Sequence, residues 1–152
     1  MQAEEMERQF TIRRADVSDA MAIANLLTIL GHPTTPYSIE SRWHLWMGAG
    51  NLALVAVNLQ NEIVGTATLH EMVVLHRPKP VGRITALVIA PNLRGQGIGS
   101  ALVHHAETYF TDRGCGILEI TSNQKLTQAH AFYEKLGFER TSIRLAKQLD
   151  TP

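Results

Sequence analysis

A single cysteine, Cys115, stands among the 152 residues, so no intrachain disulfide can form and a reducing compartment, the cytoplasm, is the expected location. Cys115 lies between Gly114 and Gly116 at the expected start of a strand, and a small apolar filler is the preferred role there over a catalytic thiol. No apolar run approaches the roughly 20 residues that span a bilayer, so no membrane partner is expected. The first eight residues, Met1–Arg8, are acidic and polar; they suit neither a secretory signal nor a transit peptide and read as a flexible N-terminus. An excess of charge is missing as well. Lysine plus arginine number 14 and aspartate plus glutamate number 14, which removes the broad attraction of a nucleic-acid or anionic-membrane binder.

What remains, 45% hydrophobic and 18% charged residues, suits one globular domain over residues 1–152. Folding at this length buries roughly two-thirds of the unfolded surface, so the core needs no metal or disulfide staple. Phe10–Arg14 alternates as a short strand. Asp16 or Ser18 caps a helix with Ala20, Ile23, Ala24, Leu27 and Leu30 on one face, and Gly31-His32-Pro33 stops it. Ile39, Trp43, Trp46 and Met47 recur at helical spacing before Gly48 and Gly50. The period then changes to that of strands: Asn51–Asn58, Ile63–Leu75 as its antiparallel hairpin partner, and Arg83–Ile89. A glycine-rich turn opens a helix with Ile98, Ala101, Leu102, Ala106, Tyr109 and Phe110 on its apolar face. Ile117–Thr121 follows as a strand, Thr127–Leu136 as a helix, and Phe138 onward as a last strand. The order β-α-α-β-β-β-α-β-α-β predicts an α/β fold with a mixed sheet and helices on its faces.

The strand-turn-helix from Ile84 to Tyr109 carries the chemistry. Glycine tolerates positive φ and lets a ligand approach the backbone, and a helix start offers unpaired N–H groups and a positive dipole end. Pro91-Asn92-Leu93-Arg94-Gly95-Gln96-Gly97-Ile98-Gly99 is therefore a candidate phosphate cradle with Arg94 at its mouth. The same glycines would also serve a tight turn that only lets helix and strand pack closely. Gly97-Ile98-Gly99-Ser100 lacks the lysine of a P-loop, and Ser100 stands where a dinucleotide fingerprint needs its third glycine.

Leu87-Val88-Ile89-Ala90-Pro91 followed by Arg94-Gly95-Gln96-Gly97-Ile98-Gly99, with Ala129-His130-Ala131-Phe132-Tyr133-Glu134-Lys135-Leu136-Gly137-Phe138 downstream, resembles the GNAT superfamily of N-acetyltransferases. The resemblance covers residues 84–140. It implies a mostly antiparallel central sheet with two splayed parallel strands, helices on both faces, and acetyl-CoA as co-substrate without a metal. It places the CoA pyrophosphate on the main chain of Arg94, Gly95, Gln96, Gly97, Ile98 and Gly99, with Ser100 adjacent. The pantetheine arm then runs beside Leu87, Val88 and Ile89, and Asn123 contacts it. The implied reaction is direct attack by a primary amine, preferably of a small molecule, within a ternary complex. A backbone N–H near Ile89 steadies the carbonyl oxygen, and Tyr133 is the general acid.

One departure from the family pattern concerns the base. Many members carry a glutamate where Thr85 stands, and threonine cannot act as a base at neutral pH. Glu71, His70 or a water chain is left to take the proton, although an exposed strand residue is the preferred reading of each side chain. His104 and His105 are adjacent and point apart on a helix, a poor metal pair. The acceptor is expected between Leu30 and Gly48, near Tyr37, Trp43, His44 and Trp46, although both tryptophans also read as core. Glu40 is the only acid there, which argues against a polycationic acceptor. The resemblance also allows a homodimer through the final strand, a peptide or protein acceptor, or a non-catalytic acyl-CoA-binding module.

Overall fold

Alternating residues form the first strand, β1 (Phe10–Arg14), and a reciprocal cap launches the chain into its first helix. The Asp16 carboxylate accepts from Ser18 N at 2.8 Å, and the Asp19 carboxylate accepts from Asp16 N at 2.9 Å. Asp19 is buried, and Arg13 grips it with two bonds of 2.8 and 2.9 Å, which holds its carboxyl below the usual carboxylate range. Helix α1 (Ala20–Leu30) ends where Gly31 takes φ 110°. Thr35 caps α2 (Pro36–Gly48), with proline at the first helical position. Then come strands β2 (Asn51–Asn58), β3 (Ile63–Met72) and β4 (Val81–Ile89), helix α3 (Ile98–Asp112) and strand β5 (Ile117–Ile120).

The computed structural model describes residues 9–122 and 127–150, and the chain divides into two compact units, Met1–Thr121 and Ser122–Pro152. The first holds a five-stranded sheet in the order β1-β2-β3-β4-β5, antiparallel except for the parallel β4–β5 pair. Helices cover both of its faces. Ile23 of α1 and Trp43 of α2 cluster with Ala53, Val55 and Val57 on one face. On the other, α3 packs so closely that a Cβ on Gly65 would meet Ile98 at 3.1 Å and Leu102 at 3.4 Å. A Cβ on Gly82 would overlap the Phe110 ring.

Strand β4 starts at Val81 rather than at Arg83, because Val81 and Gly82 pair both with Met72 and Glu71 and with Ile117 and Leu118. Beyond Met72, β3 has no partner, and Val73 and Leu75 stand exposed instead of extending it. The second unit holds α4 (Thr127–Lys135), in which the Tyr133 ring lies 5.4 Å from Phe132 and 6.0 Å from Phe138. The last strand expected from Phe138 onward does not form: residues 138–150 join no ladder. Alternation specifies a strand only where a neighbouring edge satisfies its N–H and C=O groups, and Ile143, Leu145 and Leu149 are 76%, 90% and 91% exposed. Among the described residues no helix is long and apolar enough to cross a membrane.

Candidate active site

The site starts from a forked strand pair. The β4–β5 ladder runs from Val81↔Ile117 to Ile84↔Ile120 and stops, leaving Thr85–Ile89 without a strand partner on that side among the described residues. At the point of parting β4 bulges, since Thr68 pairs with Ala86 but Leu69 with Ile84, so Thr85 is the extra residue. The bulge explains why Gly82 and Ile89, an odd number of positions apart, both face α3.

Register decides which main-chain groups point into the fork. Ala90 N donates to Val64 O at 2.8 Å, so hydrogen-bonded pairs fall at Val88↔Thr66 and Ala86↔Thr68. Leu87 and Ile89 belong to the alternate pairs, and their N–H and C=O groups point away from β3 into the open side. The main chain of Val88 is spent on Thr66 and its side chain is buried. Of the three strand residues expected beside an extended ligand, Leu87 and Ile89 thus offer free backbone and Val88 offers none.

Past Ile89, Pro91–Leu93 makes one 3-10 turn and the chain enters α3 through Gly95 at φ 81° and Gly97 at φ 85°. Gly97 is the N-cap of α3, and no side chain caps the helix. Gly97 O accepts from Ala101 N at 3.0 Å, so the amides of Ile98, Gly99 and Ser100 lie in the first turn without intrahelical partners. A Cβ on Gly95 or Gly97 would meet nothing within 4 Å. The positive φ at both positions calls for glycine, and the space beside them is open, as it is beside Gly31 and Gly114. Arg94 and Gln96 are exposed beside it, and among the described residues Arg94 makes no ion pair. The structure brings Leu87, Ile89 and Arg94 to Ser100 together along one line from fork to helix start. Its residues fit a diphosphate-bearing ligand with an extended arm.

The remaining candidates fall elsewhere. Tyr133 belongs to the second unit, on α4; burial pushes its hydroxyl pKa up. Asn123 lies outside the described residues. Glu71 shares the α3 face with Gly82, and Arg113 clasps it with two bonds of 3.0 and 2.8 Å. That clasp holds its carboxyl below the usual range, so Glu71 is spent as a structural anchor. Cys115 is not an apolar filler: half-buried, its thiol donates to Glu71 Oε1 at 3.6 Å, and burial raises its pKa. His70 faces the other side beside Arg83, and its Nδ1 is buried with no partner among the described residues. Trp43 is core, Trp46 is half-buried 5.3 Å from it, and Tyr37 and His44 are exposed on α2. Among the described residues no cluster of three or more His, Cys, Asp or Glu is placed to hold a metal ion.

Two features escaped the sequence. One is the ion pair of Arg83 Nη2 with Glu119 Oε2 at 2.9 Å across the base of the fork. The other is the hydroxyl pair of Thr68 and Thr85, with oxygens 2.7 Å apart at the bulge. Their only sequence signal was polar residues within otherwise apolar strands.

A family model described as the acetyltransferase (GNAT) family matches residues 19–138, a stretch that runs through both units. An aminoalkylphosphonate N-acetyltransferase from Salmonella typhimurium is 38% identical over 88 residues, 58% of this chain and 57% of that protein. The chain thus aligns with little more than half of that relative's length. An aminoglycoside N(6')-acetyltransferase type 1 from Stenotrophomonas maltophilia is 31% identical over 134 residues, 86% of this chain and 87% of that protein. A crystal structure of an acetyltransferase from Trypanosoma brucei superposes with a TM-score of 0.80 at 26% identity, covering 92% of this chain and 99% of that one.

Proposed function

Because the chain belongs to the acetyltransferase (GNAT) family, we propose that it is an N-acetyltransferase that takes its acetyl group from acetyl-CoA and delivers it to the primary amine of a small molecule. The observation that carries this is the alignment of three features. Among the described residues the main chain of Leu87 and Ile89 has no partner on the fork side, the fork opens after Ile84, and α3 begins on two positive-φ glycines with open space beside them. When bound, the donor supplies an acyl group activated as a thioester. The amides from Arg94 to Ser100 hold its diphosphate, and Arg94 adds a positive charge. Leu87 and Ile89 align its arm as an added strand would, and their N–H groups are the donors available to a carbonyl oxygen that gains negative charge. Tyr133, by its place in the family motif, is the residue proposed to protonate the departing sulfur. The family match across both units supports treating residues 1–152 as one catalytic domain.

A small acceptor is supported by the names of the relatives, one specifying aminoalkylphosphonates and the other aminoglycosides. The test is thiol release with 2-aminoethylphosphonate, kanamycin, glucosamine and a lysine-containing peptide. Release with one of the small amines is expected. Release with the peptide alone would reassign the acceptor, and CoA binding without release on any amine would leave a binding module. Gly97→Val tests the cradle by calorimetry. A β-branched residue is strained at φ 85° and projects into the open space, so the Kd for CoA should rise at least about a hundredfold with the circular dichroism spectrum unchanged. An unaltered Kd would remove the cradle.

A further inference from the structure

Thr85 stands where the two parallel strands part, and its exposed hydroxyl is the first side chain of β4 beyond the last β5 pair. Two contacts define its setting: Thr85 Oγ1 lies 3.1 Å from Thr68 O and 2.7 Å from Thr68 Oγ1. A carbonyl can only accept, so the single Thr85 proton goes to Thr68 O. The Thr68 proton must then make the contact between the two hydroxyls. Both protons are consumed inside the pair, and among the described residues no further donor reaches Thr68 Oγ1, so it keeps accepting capacity. The pair is thereby a fixed acceptor, although hydroxyls ordinarily rotate to either role.

Its face of the sheet is equally defined. Thr66 and Thr68 alternate with Gly65 and Ala67, and Gly65 abuts α3. Thr68 pairs with Ala53, which packs with Ile23 and Trp43, so the hydroxyls lie on the α1–α2 side, opposite the helix that begins at the glycine turn. A group approaching from that side meets the fork from the face not occupied by α3. The carboxylates of β3 and β5 are both committed, Glu119 to Arg83 and Glu71 to Arg113 on the other face.

We infer that Thr68 Oγ1 is the seat of the acceptor nitrogen: it accepts one N–H of the incoming primary amine, and Thr85 acts as the positioning residue that fixes the direction of that hydroxyl. The seat is neutral. It binds through one directed hydrogen bond and supplies no counter-charge, so it rewards an amine presenting an N–H along the fork more than it rewards net positive charge. This rests on the acetyltransferase reading above.

The experiment uses the full chain saturated with CoA and titrates the fastest small amine of the panel calorimetrically, alongside KM and kcat with acetyl-CoA. Thr68→Val removes the accepting oxygen at nearly constant volume. It should raise both the amine Kd and its KM about tenfold while the CoA Kd stays within about twofold. Thr85→Val frees the Thr68 proton and should raise the amine KM about threefold, with Thr85→Ser restoring it. If Thr68→Val lowers Tm appreciably, Thr68→Ala gives the same readout without the branched methyl groups. An unchanged amine Kd in the Thr68 variants overturns the seat, as does an equal loss of CoA affinity, which would mean that the fork itself had moved. A parent chain that binds CoA yet acetylates none of the small amines overturns the functional reading, and the seat falls with it.

Discussion

Burial raises the Tyr133 hydroxyl above its ordinary value of about 10, so it holds its proton throughout the range in which amines become free to react. Two outcomes follow. Tyr133→Phe should lower kcat about a hundredfold with the CoA Kd unchanged, read by stopped-time thiol release and calorimetry. The sign of the pH effect is also set: a phenol titrating above pH 10 loses no acid function below it, so kcat/KM should not fall between pH 7 and 9. A descending limb in that interval that disappears in Tyr133→Phe would place the pKa below neutral-phenol range and contradict the burial. Tyr133 is proposed from a contiguous motif, residues 129–138. Glu71 and His70 were not separable, since alternation says only that neighbours on a strand face opposite sides. Arg113, which commits Glu71, is distant in sequence, and nothing local announces that contact.

At the scale of elements, the chain order through α4 follows from period, caps and glycines, and the first strand spans the residues that alternation specifies. The bulge at Thr85 does not follow, because a single extra residue leaves the hydrophobic pattern of Val81–Ile89 readable as one continuous buried strand. Packing between β4 and α3 supplies the clearest test. A methyl at Gly82 would overlap the Phe110 ring, so Gly82→Ala should destabilise the fold by about 1–3 kcal/mol in urea titration. Combining it with Phe110→Leu should cost less than the two single changes added together, because the smaller side chain removes the overlap. Strict additivity would show that α3 does not press on β4 there. The missing last strand teaches the converse: Thr141–Leu149 alternates well enough, yet without a partner edge its apolar side chains stay in water.

For the molecule as a whole, 14 basic and 14 acidic side chains and a calculated pI of about 7.1 leave little repulsion between copies at neutral pH. Solubility, followed by light scattering, should pass through a minimum near pH 7 and recover by pH 8.5; a flat profile would mean that an uneven charge distribution outweighs the net value. Balanced charge does not oppose binding of an anionic coenzyme, because the proposed clasp is built from amides and a helix end instead of a basic field. Composition, period and motif, all carried by residues close together in the chain, were enough to determine an α/β fold, a glycine turn opening a helix, and membership of a family. Folding alone decided which backbone groups of β4 stay unpaired, where the sheet forks, that Arg113 neutralises Glu71, and that two threonines spend their protons on each other. Each of these depends on strand register and on contacts between residues remote in sequence, and hydrogen-bond supply and demand can be settled only when those partners have met.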